Sequence, residues 1–223
     1  MRNSGIPRLL RALLPLSAVA LFASGCLIQD TTQTIYLEPD GSVTWSVLQK
    51  DVRSDEKRLD DRRREEGRFI TDATAARHPI ALAFARLDAA DVRMFILRAA
   101  RPYTVLTEAR FARIDTLMER FASAAGARAT SVLARHDNVI TWTLTVSDDA
   151  GASVRDKDKI IDALADSFDG CQFVLSAGHF LGADGFELSD DKRVATLQIP
   201  NDVPDAGPSA TLRFSLTWTE TEP

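Results

Sequence analysis

The chain has 223 residues, 45% of them hydrophobic and 26% charged, with a formal net charge of −5. That hydrophobic share excludes an intrinsically disordered chain, and the excess of acids disfavours polyanionic partners, so no nucleic acid is expected as a ligand. With Cys26 and Cys171 as its only cysteines, the chain is not a disulfide-stapled scaffold.

Residues 1–25 carry Arg2, Arg8 and Arg11 and no acid, then an apolar run from Ala12 to Ala23, then Ser24 and Gly25 before Cys26. A basic start, a short apolar core and a small-residue exit form the pattern of a secretory signal peptide. The core is shorter than the roughly 20 residues a membrane span needs, and Pro15 interrupts it. Ala23-Ser24-Gly25-Cys26 resembles the lipobox of bacterial lipoproteins, with Ala23 standing where that family usually has Leu. The resemblance is confined to the leader. It implies that Cys26 is diacylated on sulfur, becomes the new N-terminus and is then N-acylated, which makes the membrane a partner through lipidated Cys26. Each buried methylene contributes about 0.8 kcal/mol, so several chains on one residue hold effectively without dissociation. In the proteobacterial members an Asp after the cysteine retains the protein in the inner membrane. Leu27 therefore implies the outer membrane, with the domain facing the periplasm or the exterior. Loss of residues 1–25 leaves 198 residues with a net charge of −8. The expected organisation is signal peptide 1–25, lipidated tether 26–33 and one α+β domain, 34–223.

Leu27 to Gln33 reads as a polar tether. Thr34 to Leu37 and Val43 to Gln49 flank Glu38-Pro39-Asp40-Gly41, a turn signal that predicts a β-hairpin. Asp51 to Gly67 predicts a helix capped by Ser54 and interrupted at Gly67. With little apolar surface beyond Val52 and Leu59, it is expected to project into solvent, laced by pairs such as Asp60 with Arg64. Pro79 opens a second helix, Ile80 to Asp88. Val92 to Arg98 predicts a strand, and Tyr103 to Phe111 a second extended or mixed stretch. Ile114, Leu117, Met118, Phe121 and Ala125 recur at helical spacing up to Gly126. Ala129 to Ala134 and Val139 to Val146 form a second hairpin, in which Ile140, Trp142, Leu144 and Val146 alternate with threonines. Ser153 to Asp156 reads as a capping box opening a helix through Leu164 and Phe168. Strands are expected at Gln172 to Ser176, Gly185 to Leu188, Val194 to Ile199 and Ala210 to Trp218, the last two joined by a Pro200 to Pro208 loop. Groups of one-sided strands separated by helices predict α+β, mainly antiparallel sheet with helices packed on one face.

Chemistry-bearing patterns are sparse. His78, His136 and His179 share no ligand spacing and accompany no Cys-x-x-Cys, so no metal is expected, and they read as turn or surface residues. Asp148, Asp149, Asp156 and Asp158 lack the alternation of an EF-hand loop. Cys171, leading into Phe173-Val174-Leu175, reads as a core residue, not a nucleophile. No cofactor is expected. Arg98, Arg101, Arg110 and Arg113 form the densest basic cluster, and two of them converging in space would grip a carboxylate or phosphate bidentately. The function this supports is a non-catalytic envelope lipoprotein that binds a protein or lipid partner or supports the envelope. The alternatives are a small-ligand or lipid carrier, resting on sheets that enclose a pocket, and a hydrolase built from scattered carboxylates and arginines.

Overall fold

The computed structural model describes residues 27–124, 127–147, 168, 170–199 and 211–220. The leader, Cys26, Gly126, the acidic loop at Asp148, the helix expected from Ser153 to Leu164 and the Pro200 to Pro208 loop lie outside the described residues.

The N-terminal hairpin forms around the expected turn. Gly41 takes φ 83°, a left-handed conformation that glycine adopts without penalty, and the Asp40 carboxylate accepts the Ser42 N–H at 2.9 Å. Both strands are longer than the sequence suggests. β1 (Leu27–Leu37) starts at Leu27, and its pairing with β2 (Val43–Ser54) begins at Leu27 opposite Ser54. The stretch read as a tether is therefore a strand. Its glutamines and threonines hid it, yet Gln49 Nε2 donates to Gln29 Oε1 at 2.8 Å, so the two glutamines are tied together across the ladder. A bulge at Lys50 and Asp51, with Asp51 at φ 52°, lets Gln49 and Val52 both turn inward.

Because β2 runs on to Ser54, α1 (Leu59–Thr74) begins later than expected and passes through Gly67. Ser54 is not its cap. The apolar stripe lies beyond Gly67: Phe69 and Ala73 are buried against Val52 and Val105, so the helix is docked and does not project. α2 (Pro79–Arg86) starts at the proline, with the His78 Nδ1 accepting the Ile80 N–H at 3.3 Å. β3 (Asp91–Arg98) and β4 (Tyr103–Phe111) follow, then α3 (Ile114–Ala124), the hairpin β5 (Arg128–His136) and β6 (Val139–Ser147), then β7 (Gln172–Leu175), β8 (His179–Asp184), β9 (Phe186–Leu188), β10 (Val194–Leu197) and β11 (Thr211–Thr219). The sequence did not announce β8, whose glycine and aspartate resemble a loop; pairing along β11 makes it a strand.

The fold is α+β with mainly antiparallel strands, as expected, but the strands divide between two sheets. The larger runs β3-β4-β2-β1-β7-β10-β9, with β1 and β7 parallel, and the smaller runs β5-β6-β11-β8. The inner face of the larger sheet meets α2, α3 and the smaller sheet in one core, where the rings of Trp142 and Phe173 stack across the two sheets at 5.6 Å. The opposite face of the larger sheet is covered by none of the described elements. There Phe95, Leu106, Leu48 and Thr32 pair side by side across β3, β4, β2 and β1.

Candidate functional site

The end of the larger sheet that carries Leu27 gathers the start of β1, the end of β2, the β3–β4 turn and α1. The pairings Leu27 with Ser54 and Val52 with Tyr103 bring these segments together. Their junction is Glu66, a carboxylate only 5% exposed. It accepts the Ser54 N–H at 3.0 Å and forms an ion pair with Arg101, whose Nε lies 3.1 Å away, while the Ser54 hydroxyl donates to Glu65. A buried carboxylate is retained only with such partners. Sequence reading missed Glu66; its position three residues before Phe69 and seven before Ala73, on the docked stripe of α1, was the available signal.

The four arginines singled out by density do not converge. Arg98 and Arg101 lie at the β3–β4 turn, whereas Arg110 and Arg113 lie at the other end of β4, where Arg110 is paired opposite Asp91 and Thr44. β4 holds the two pairs roughly 20–30 Å apart, at about 3.3 Å per residue. Two of the four already hold carboxylates of the chain: Arg101 meets Glu66, and Arg113 forms a two-pronged pair with Asp115, which lowers the Asp115 pKa below its ordinary value chiefly through the hydrogen bond from Arg113.

The histidines and the free cysteine separate by environment. His136 is exposed at a hairpin turn beside Asp137, as expected. His78 is not a surface residue: it is 2% exposed, its ring edge-on to Phe69 with centroids 5.1 Å apart, and burial lowers its pKa to about 4. Nδ1 serves the helix cap only while unprotonated, and a charged ring here is desolvated. The folded-state pKa lies below the unfolded value, so this stability is fully present above about pH 6.5 and is lost as pH falls towards 4, at about 1.4 kcal/mol per unit. His78→Asn, which retains a cap acceptor without a titrating ring, is expected to flatten the loss of urea-unfolding free energy between pH 6.5 and 4.5; an unchanged slope would assign the loss to other groups. Cys171 is buried, and desolvation pushes its thiol pKa far up, so its proton stays on sulfur. Among the described residues no three His, Cys, Asp or Glu side chains are grouped to hold a metal ion.

Between the sheets lies a cavity of about 30 Å³ with an almost wholly apolar lining, including Phe121, Trp142, Leu144, Phe173 and Phe214. By the same measure one water needs roughly 10–15 Å³, so the gap admits a small apolar group and not an acyl chain unless the sheets part.

No family model matches the chain, and no curated protein matches it. Among solved structures it is similar to the folded domain of the LppM protein of Mycobacterium tuberculosis, determined by NMR, at 13% identity over 90% of this chain and 94% of that one, with a TM-score of 0.36. A likeness at that level carries no argument about this chain's activity.

Proposed function

We propose that this chain is a bacterial envelope lipoprotein, held in a membrane by acylated Cys26, whose domain acts by binding and not by catalysis. What carries the reading is the small-residue box Ala23-Ser24-Gly25-Cys26 behind a basic and apolar leader. The environments of the nucleophile candidates agree with it: the Cys171 thiol is buried with its pKa raised, and His78 is spent on a helix cap. Intact mass of the chain extracted from membranes tests it, with Cys26→Ala beside the wild type. The expected wild-type mass is that of residues 26–223 plus long acyl chains, with the variant unmodified and released to the soluble fraction. An unmodified wild-type mass would overturn the anchored reading. Outer-membrane placement, implied by Leu27, is tested by fractionating the same cells, since Leu27→Asp should redirect the protein to the inner membrane.

The cavity between the sheets favours a second reading, a carrier of small apolar ligands. At about 30 Å³ it requires the sheets to move apart on binding.

A further inference from the structure

We infer that the Leu27 end of the larger sheet, with the adjoining part of its uncovered face, is a docking surface for an anionic lipid bilayer. The inference rests on acylation of Cys26. Consecutive Cα atoms are about 3.8 Å apart, and β1 is already paired at Leu27, so nothing flexible separates the anchor from the sheet. A cysteine whose acyl chains lie in the hydrocarbon therefore brings this end of the domain to headgroup level, well within a Debye length of about 8–10 Å.

The surface that arrives there has the composition of an interfacial one. Ile28 is 47% exposed, Phe95 40% and Leu97 59%, on or beside the open face, and Leu59 at the first position of α1 is 54% exposed. The half-buried Leu48 and Leu106 continue the row from Phe95. Ile28 and Leu97 thus lie towards the end nearest the anchor, and Phe95 lies on the adjoining open face, in the row that crosses β1 at Thr32. Lys50, Arg53 and Arg98 accompany them, exposed and without an ion-pair partner among the described residues, although Asp30 and Asp51 stand close by. Apolar side chains interleaved with long cationic ones match the boundary between acyl chains and anionic headgroups. Because this chain is acidic overall, its remaining surface is repelled by the same headgroups, which fixes the orientation as well as the attachment.

The test uses the full chain purified from membranes and reconstituted into vesicles of phosphatidylglycerol and phosphatidylcholine. An environment-sensitive fluorophore is attached through Leu97→Cys or, on the smaller sheet, Val132→Cys; Cys171 is buried and does not compete. The probe at 97 is expected to emit at shorter wavelength, to be quenched several-fold more by spin-labelled lipid than the probe at 132, and to be several-fold less accessible to aqueous iodide. Arg53→Glu with Arg98→Glu should remove this difference while the acyl anchor keeps the protein on the vesicle. An acylated, vesicle-bound protein whose probe at 97 reads as water would overturn the docking surface and leave the anchor standing. Shielding of position 97 only after other envelope proteins are added would also overturn it, by assigning the patch to a protein partner. An unacylated protein that stays off the vesicles would instead remove the anchored reading and this inference together.

Discussion

Replacement of Trp45 by alanine is expected to lower the unfolding free energy by about 4 kcal/mol. The indole is 1% exposed and lies where β2, α2, α3 and the segment at Phe168 meet, with ring centroids 5.1 Å from Phe84, 5.9 Å from Phe121 and 5.2 Å from Phe168. Truncation removes the transfer contribution of the ring and leaves a void that rings on separate elements cannot close together. Domains are typically stable by only about 5–15 kcal/mol, so this is a large share of the total. Trp45→Phe is expected to cost about 1–2 kcal/mol, because it also removes an indole N–H that has no hydrogen-bond partner among the described residues. Urea unfolding followed by far-ultraviolet circular dichroism reads both variants, with the midpoint shifted and the slope unchanged. A loss under 1 kcal/mol for Trp45→Ala would mean that α2, α3 and Phe168 do not close tightly over this ring.

The second large effect is expected at Glu66. Glu66→Ala removes the acceptor of both the Ser54 N–H and the Arg101 guanidinium, and is expected to cost about 3 kcal/mol. The Arg101 side chain is 43% exposed and regains water once released, so most of the loss comes from the N–H of Ser54, a residue only 3% exposed. Glu66→Gln, retaining a carbonyl for that N–H, should lose only about 1 kcal/mol, and Arg101→Ala a similar amount that shrinks in high salt. Equal losses for Glu66→Ala and Glu66→Gln would shift the weight from the backbone hydrogen bond to the charge. Because Glu66 joins the end of β2 to α1, hydrogen exchange in the Ala variant should quicken first at residues 52–66.

Elements whose periodicity and burial agree were legible in the sequence. α3 announces itself through Ile114, Leu117 and Met118, all buried, and β6 and β11 through apolar alternation that ends in Trp142, Phe214, Leu216 and Trp218 inside the core. Residues 27–33 were not legible, because five polar residues in a row carry no one-sided pattern; they become a strand only when β2 supplies a ladder and Gln49 a side-chain partner for Gln29. α1 was cut short for the converse reason, since Gly67 lowers local helix propensity while burial of Phe69 and Ala73 outweighs it. The arginine cluster failed because density along a chain is not proximity in space: a nine-residue strand separates its two halves.

By itself the sequence determined the class of this protein: an acidic α+β domain with mainly antiparallel strands, a buried and unreactive Cys171, and a leader that resembles a lipoprotein signal. Those properties follow from composition and from local periodicity, which neighbouring residues express without distant help. The tertiary structure alone decided how the strands divide between two sheets, that Glu66 is a buried junction, and that strand pairing reaches back to Leu27, one residue beyond Cys26. Each of these depends on pairings between segments far apart in the chain, whose free energy no local pattern records.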